Sequence, residues 1–230
     1  MTVRDLGRGV PAMWQENLKS GGSSHWADYL TSVEQNKGKP GRLFWRQQAA
    51  ARIARNWARV FGPGHVTVVT VPAAGTPASV LWDRFRTATA LDLPDVEPLP
   101  AANQSLGAAS CLVLREANER VRASGADWEL RGTIKRKLAK QVLARHRDRE
   151  TPLGFVPPPW LHDRAATTRS RLEALDVAVV GDLAELEPRT VPGTDPSTVP
   201  IAEQHEAALW AIGELMTAAL NTEAERIRST

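Results

Sequence analysis

Residues 65–71 read HVTVVTV, a short run in which nearly every position is apolar or β-branched. Such a run is typical of a strand covered on both faces, because a strand with one wet face alternates apolar and polar side chains. Helical patterns lie on either side, and the following helix is predicted from about Ala78, with Thr76 as its cap and Pro77 at its first position. Helix, buried strand, loop and helix form the unit of a parallel sheet, so this stretch predicts an α/β fold.

The neighbouring segments extend this prediction. The helix before the strand is predicted to run through FWRQQAAARIARNWARVF, after a loop at NKGKPG, and to end at Gly62. Its apolar positions recur at helical spacing and predict one buried stripe: Trp45, Ala49, Ile53, Trp57 and Val60. The segment DVAVVGDL predicts a second buried strand that ends at Gly181, and the second half of the chain is otherwise rich in helical patterns.

Three domain-level regions are predicted. Residues 1–186 form the α/β core, 187–200 (EPRTVPGTDPSTVP) form a proline- and threonine-rich linker, and 201–230 form an amphipathic helix. The apolar positions of that last helix are Ile201, Leu209, Ile212, Leu215, Met216 and Leu220.

Composition excludes several classes of protein. Of the 230 residues, 42% are hydrophobic and 24% are charged, as in ordinary globular proteins. No run of eighteen apolar residues occurs, so no membrane span and no membrane partner are expected. The single cysteine, Cys111, excludes an internal disulfide and fits a reducing, cytoplasmic location. Its apolar, helical surroundings predict a buried side chain rather than a nucleophile.

Motifs for common chemistries are absent from the sequence. It contains no G-x-x-x-x-G-K-[ST], no G-x-G-x-x-G, no H-E-x-x-H and no G-x-S-x-G. The histidines are scattered, without a second ligand at helical spacing: His25, His65, His146, His162 and His205. No metal site is therefore predicted, and the catalytic residues stay unassigned.

A basic run occupies residues 131–149, RGTIKRKLAKQVLARHRDR. Such a helix could bind phosphate on a nucleic acid or on a nucleotide. The alternative is a solvated helix face, because Ile134, Leu138 and Val142 supply an ordinary core stripe. The solvated face is favoured, so a nucleic acid is not the expected partner.

The chain opens with MTVRDLGRG, in which a short apolar segment ending at Val3 is followed by Arg4 and a helical pattern. This order places a guanidinium at the carboxyl edge of a sheet, beside a helix N-terminus, where open α/β folds bind anions. Arginine can hold a phosphate through two parallel hydrogen bonds. Arg4 is therefore a candidate anion-binding residue.

The segment TVRDLGRGVPAMWQENLKSG resembles the part of bacterial P-loop sulfotransferases that carries the arginine for the 3′-phosphate. Further segments agree in order and spacing over roughly residues 2–187: FWRQQAAARIARNWARVFGPGHVTVVTVP, LWDRFRTATALDLP, NQSLGAASCLVLREANERV and LDVAVVGDLAELEP. The resemblance implies a three-layer P-loop α/β fold with a parallel sheet. It also implies sulfuryl transfer from 3′-phosphoadenosine 5′-phosphosulfate, as co-substrate, to a hydroxyl or amine acceptor, with Arg4 binding the nucleotide.

The sequence departs from that family in three respects. The loop of the kind PKTGTT that holds the 5′-phosphosulfate is absent, and Ala12 stands where family members often have a phosphate-binding serine. No local motif identifies the catalytic base, for which His25 is a weak candidate.

We therefore expect a chain that lacks the amino-terminal part of a sulfotransferase, through truncation or a late start, and that is inactive alone. A sheet edge left open by the missing strand predicts self-association. The alternative hypothesis is a non-catalytic α/β binding or interaction module.

Overall fold

The computed structural model describes residues 1–91, 104–126 and 131–228. The end of the LWDRFRTATALDLP segment (92–94) and Asn103 lie outside these ranges. The strands are β1 (Thr2–Val3), β2 (Thr67–Thr70) and β3 (Ala178–Val180). The helices are α1 (Leu6–Lys19), α2 (Trp26–Gln35), α3 (Gly38–Gln48), α4 (Ala50–Phe61), α5 (Ala78–Thr89), α6 (Ala108–Ala123), α7 (Arg131–Ile134), α8 (Ala144–His146), α9 (Pro159–Glu173) and α10 (Ile201–Arg228). A π-helix, Lys135–Leu143, joins α7 to α8.

The chain forms two compact units. The first contains Met1–Val10, Leu30–Ala102 and Val156–Val191, and the second contains Pro11–Tyr29, Asn103–Phe155 and Pro192–Thr230. Helices α1 and α2 each begin in one unit and end in the other. The division predicted at residues 186 and 200 stays a prediction.

The sheet of the first unit has the order β1-β2-β3, and both of its pairings are parallel. Thr2 pairs with Val69, and Thr67 pairs with Ala178. The predicted parallel sheet is therefore confirmed, and the fold is α/β with a mostly helical chain.

Strand β2 is covered on both faces, as predicted. Val68 and Val69 point to opposite sides of the sheet, and both are buried. Val68 belongs to a core cluster formed by β1, α4, α9 and the turn Leu183–Leu186. Its buried members are Val3, Ala50, Ala51, Ala54, Val68, Leu172 and Leu186. Helix α5 packs against β2 and β3.

The prediction for the long helix before β2 is wrong in three respects. It is broken at Ala49, whose φ of −78° and ψ of 67° are not helical, so that α3 and α4 are separate helices. The residues Gly38–Gly41 of the predicted NKGKPG loop belong to α3. The far end of the predicted buried stripe is also exposed, since Trp57 and Val60 have exposed fractions of 53% and 73%. Only the small residues of α4 pack into the core.

Two further expectations need correction. Strand β3 is present but is not buried: Ala178 and Val179 are exposed, because the strand forms one edge of the described sheet. Helix α5 begins at Ala78 as predicted, but Pro77 is its N-cap and no side chain caps it, so Thr76 does not have the predicted role.

The interior of the second unit is aromatic. The Trp26 ring lies edge-on to Trp14 and Phe155, with centroid distances of 5.1 and 5.5 Å, and stacks on Tyr29 at 6.0 Å. Trp14 Nε1 donates a hydrogen bond to the Ser24 carbonyl at 3.0 Å. Such pairs add to the stabilisation from burial of the rings.

A crossing of two backbone segments lies near the end of this unit. Gly154 N donates to the Thr194 carbonyl and Thr194 N donates to the Pro152 carbonyl, both at 2.9 Å. Gly193 has a φ of +143°, and a Cβ there would overlap the Pro152 carbonyl oxygen. Only glycine therefore fits this close approach.

The predicted C-terminal helix is confirmed as α10, and its large apolar side chains lie on an exposed face. Ala207 and Ala211 face the interior, whereas all six predicted apolar positions are exposed. Among the described residues, no helix combines the length and the apolar character needed to cross a membrane.

Candidate functional site

The carboxyl ends of the three parallel strands lie at one edge of the sheet. Arg4 follows β1, Val71 and Pro72 follow β2, and Gly181 follows β3. Ligands of open parallel sheets bind outside this edge. We call this group of strand ends, with the polar side chains beside it, the sheet edge.

Arg4 is exposed and lies between β1 and the start of α1. Its Nη2 donates to the Arg8 carbonyl at 3.4 Å, and within the described residues it forms no ion pair with a carboxylate. Partial desolvation and the nearby Arg8 guanidinium lower the pKa of Arg4, against the opposing effect of Asp5. The group remains a cation at neutral pH, available to an anion from solvent.

Arg8 has a different role from Arg4. It pairs with the buried Asp5 carboxylate, which also accepts the Arg8 backbone N–H at 2.9 Å. Its Nη1 and Nη2 donate to the carbonyls of Pro72 and Val71 at 2.8 and 3.3 Å. Arg8 therefore ties the first turn of α1 to the end of β2, and its donors are used within the protein.

A narrow crevice opens beside Arg4. Its walls come from β1, α3, α4, α9 and the turn at Leu186, and its volume is about 10 Å³, room for about one water molecule. An anion at Arg4 would therefore lie on the surface of the sheet edge and not inside an enclosed cavity.

A second set of polar groups lies at the sheet edge, near the ends of β2 and β3. Glu185 Oε1 accepts from Arg84 Nη2 at 2.9 Å, and Glu185 Oε2 accepts from Arg84 Nη1 at 2.5 Å and from the Thr70 hydroxyl at 2.6 Å. Thr70 Oγ1 in turn accepts the backbone N–H of Asp182 at 3.1 Å. We call Thr70, Arg84, Asp182 and Glu185 the edge network.

The edge network lowers the pKa of the Glu185 carboxylate. Hydrogen bonding from Arg84 is the main cause that lowers the pKa of Glu185 to about 2, with the Thr70 hydroxyl as a further contributor. Gly181, at a φ of +103°, lets the chain pass this network, because a Cβ there would overlap Thr70 Oγ1. Since both oxygens of Glu185 are engaged, the network is a structural clamp between β2, α5 and the Leu183–Leu186 turn.

A buried cluster of polar groups lies in the second unit. Glu150 Oε2 accepts the Ser110 backbone N–H at 2.8 Å, and Glu150 Oε1 lies 3.5 Å from His146 Nδ1. The side chains of His146 and Glu150 are 3% and 4% exposed. Within the described residues, Ser110 Oγ, His146 Nδ1 and Glu150 Oε1 form no hydrogen bond. We call these three residues the buried cluster.

The other residues singled out in the sequence have these positions. His25, in the second unit, has Nε2 3.4 Å from Arg115 Nη1, and a catalytic role for it stays a prediction. Ala12 lies within α1. Cys111 is fully buried, as predicted, and burial raises the pKa of its thiol far above the ordinary value. In the described parts of the chain, no group of three or more His, Cys, Asp or Glu side chains is arranged to hold a metal ion.

The basic run is helical, with Val142 and Leu143 buried and its described cations exposed. Arg145 pairs with Glu214 of α10 at 3.2 Å, beside a groove of about 790 Å³ that Lys137 also lines. Exposed cations fit both interpretations of this run, and the solvated face stays the favoured prediction.

Sequence reasoning did not identify the edge network. The sequence predicts Thr70 only as part of an apolar strand, and Arg84 and Glu185 are 101 residues apart. The one local signal was a threonine at the end of an otherwise apolar strand.

Comparison of this chain with family models, with curated proteins and with solved structures found no match.

Proposed function

We propose that this chain is a sulfotransferase-like α/β protein that binds the 3′-phosphate of a 3′-phosphoadenosine nucleotide through Arg4. The observation that carries the proposal is the position of Arg4: an exposed guanidinium directly after a parallel strand, beside a helix N-terminus, with no carboxylate partner among the described residues. A phosphate placed there would meet the bidentate donors of Arg4 and the positive end of the α1 dipole.

The contrast with Arg8 supports this choice of residue. Arg8 lies one helical turn further on, but its donors go to Asp5 and to the end of β2. A phosphate could recruit Arg8 only by breaking these bonds, whereas Arg4 gives up a single 3.4 Å contact. The resemblance of TVRDLGRG to the sulfotransferase segment points to the same residue.

The proposal covers binding and not turnover. Sulfuryl transfer needs donors fixed around the charge that develops on the transferred group, and losing one such donor typically costs about a hundredfold or more in rate. The sequence contains no loop of the kind PKTGTT to supply them. We therefore expect no sulfuryl transfer from the activated donor by this chain alone.

Calorimetric titration with adenosine 3′,5′-bisphosphate tests the proposal. We expect Arg4→Ala to weaken binding about tenfold or more, because a hydrogen bond to a charged group contributes about 1.5–3 kcal/mol. Arg55→Ala, which removes an exposed arginine from α4, is the matched control and should bind as the wild type does. Adenosine 5′-monophosphate, which lacks the 3′-phosphate, should bind both Arg4→Ala and the wild type with equal weakness. Equal affinity of Arg4→Ala and wild type for the bisphosphate would contradict the proposal.

A further inference from the structure

A long stretch of the first unit contains no acidic residue. Residues 35–82 hold seven of the 29 lysines and arginines of the chain and none of its 26 aspartates and glutamates. All seven are exposed and lie on α3, on α4 or directly before α3: Lys37, Lys39, Arg42, Arg46, Arg52, Arg55 and Arg59. We call them the cationic surface. In the rest of the chain acidic side chains outnumber basic ones, so positive charge is concentrated here.

The charges of the cationic surface are not neutralised within the protein. None of its seven side chains forms an ion pair with a carboxylate of the described residues. Helix α9 packs against α4, and its Glu173 pairs with Arg169 of the same helix. Arg52 Nη2 donates to the Trp45 carbonyl at 2.8 Å, which leaves the charge of Arg52 without a counter-ion. The field of these cations therefore extends into solvent and favours a polyanionic partner.

The last turn of α4 adds large apolar side chains to this surface. Trp57, Val60 and Phe61 are 53%, 73% and 54% exposed. The rings of Trp57 and Phe61 stack with a centroid distance of 5.3 Å. We call these three residues the apolar tip. The alanines of α4 that pack into the core lie in its first turns, so the fold of the described residues leaves the tip open. Clustered apolar side chains on a surface mark a site that a partner covers.

Helix geometry places the apolar tip beside the arginines of α4. Arg52, Arg55 and Arg59 are spaced three and four residues apart, so they form one row along the helix. Trp57 and Phe61 are four residues apart and form a second row. At about 100° per residue, Val60 projects between the two rows. One partner can therefore contact the cations and the apolar side chains together.

An anionic lipid surface matches both properties. Its headgroups carry negative charge, and the boundary between headgroups and acyl chains accepts tryptophan, phenylalanine and aliphatic side chains. A nucleic acid would neutralise the arginines, but it would leave Val60 in water, and the Trp57 and Phe61 rings already stack on each other instead of on bases. A second copy of this chain would bring two cationic surfaces together, which is repulsive. The lipid surface is therefore the favoured partner.

We propose that α4 is a peripheral membrane-binding helix, whose apolar tip enters the headgroup region of an anionic bilayer while the cationic surface binds lipid headgroups. Contact with a membrane surface needs no spanning helix, so the absence of a long apolar run does not oppose it. The sheet edge takes no part in this contact. Arg4→Ala should bind vesicles as the wild type does, so failure of the nucleotide proposal and failure of this one are distinguishable.

Co-sedimentation of the full chain with vesicles tests the role of charge. Vesicles of equal parts phosphatidylcholine and phosphatidylserine should bind the wild type, and added salt should weaken this binding. Vesicles of phosphatidylcholine alone should not bind it. The double variant Arg55→Glu/Arg59→Glu should bind at least about twentyfold more weakly, because each basic residue near an anionic surface contributes a factor of about five.

A matched pair of substitutions controls for net charge. Arg136→Glu/Lys137→Glu makes the same change of charge at exposed positions of the second unit. This variant should bind the anionic vesicles nearly as well as the wild type does. Circular dichroism checks that each variant is folded.

Substitutions in the apolar tip test its insertion. Val60→Ser should weaken vesicle binding about fivefold or more, because an apolar side chain leaves water on insertion. Leu209→Ser, at a position of α10 that is 70% exposed, is the matched control and should bind as the wild type does. Brominated acyl chains should quench the tryptophan fluorescence of the wild type. Trp57→Phe, which keeps a ring against Phe61, should be quenched distinctly less.

Several outcomes would overturn the proposal. One is equal vesicle binding by the wild type and Arg55→Glu/Arg59→Glu, or an equal loss in Arg136→Glu/Lys137→Glu. Another is a loss in Leu209→Ser as large as that in Val60→Ser. Binding of a single-stranded oligothymidylate without binding of anionic vesicles would assign the cationic surface to nucleic acid. A wild-type dimer in light scattering that Val60→Ser dissociates would assign the apolar tip to a second copy of the chain.

Discussion

The edge network of the first unit and the buried cluster of the second each place a glutamate among polar groups. In the edge network, Glu185 is 20% exposed and both of its oxygens accept hydrogen bonds. In the buried cluster, Glu150 is 4% exposed, and only its Oε2 accepts a hydrogen bond from the described residues. The better-solvated carboxylate is therefore the better-paired one.

This difference bears on what each carboxylate does for stability. Desolvation of a polar group is unfavourable unless hydrogen bonds replace those with water, and they do so at both oxygens of Glu185 but at one oxygen of Glu150. Burial alone does not indicate a stabilising interaction. The number of donors that reach each oxygen is the better guide, and the same type of substitution should act differently at the two positions.

The largest effect is expected for Gly181→Ala, which tests how tightly the edge network is closed. The substitution combines a backbone strain at a φ of +103° with overlap of the new methyl on Thr70 Oγ1. Together these should lower the free energy of unfolding by about 3–5 kcal/mol. Urea denaturation followed by circular dichroism measures the change. The control is Gly64→Ala, where a Cβ meets no atom within 4 Å and the change should stay below about 0.5 kcal/mol. An unchanged free energy of unfolding for Gly181→Ala would contradict the close packing of Gly181 against Thr70.

The paired substitutions Glu185→Gln and Glu150→Gln test the comparison directly. Glu185→Gln removes the charge that Arg84 binds and leaves a guanidinium poorly matched in a partly buried position, so it should destabilise the chain by about 2–3 kcal/mol. Glu150→Gln changes a buried carboxyl group whose Oε1 accepts no hydrogen bond from the described residues, and we expect a change of less than about 1 kcal/mol, or a gain. The same denaturation experiment measures both. Equal losses at the two positions would contradict the inference drawn from their hydrogen bonds.

Acid titration should remove at most the stability that Glu185→Gln removes. The pKa of Glu185 is about 2 in the folded state, mainly through the hydrogen bonds from Arg84, and about 4.5 is its ordinary value. A carboxylate whose pKa is lower in the folded state than in the unfolded state stabilises the protein at pH values above the unfolded-state pKa. This contribution is lost as the pH falls toward the folded-state pKa. The difference in stability between the wild type and Glu185→Gln should therefore narrow between pH 4.5 and 2, by at most about 1.4 kcal/mol per pH unit. If the difference in stability between the wild type and Glu185→Gln stays constant over this pH range, ionisation of Glu185 is not its cause.

The parallel sheet was predictable because its signal is local. The run HVTVVTV is apolar on nearly every position, and in the structure β2 is central and buried on both faces. The placement of β3 was not predictable in the same way, since DVAVVGDL has the same composition but lies at an edge. An apolar run predicts that a segment forms a strand. Which faces of that strand are covered depends on the neighbouring elements.

The helical stripes show the same limit. The pattern of α4 identified the helix, but Trp57 is exposed while alanines of the same helix pack against the sheet. On α10 the large apolar side chains are exposed and two alanines are buried, so the periodicity identifies the helix but not the face that packs. Arg4 could be placed at the sheet edge from its order relative to β1. The edge network could not be predicted, because Thr70 and Glu185 are far apart in the sequence and come together only when β2 pairs with β3.

The crossing of residues 152–154 with 193–194 has a consequence for dynamics. The Thr194 amide lies in a segment whose prolines and threonines suggest a flexible connection, yet its hydrogen is held by the Pro152 carbonyl. Exchange of either amide hydrogen requires the two backbone segments to separate, because each N–H donates to a carbonyl of the other segment. Thr194 and Gly154 should therefore exchange their hydrogens at matching rates, as one small opening unit.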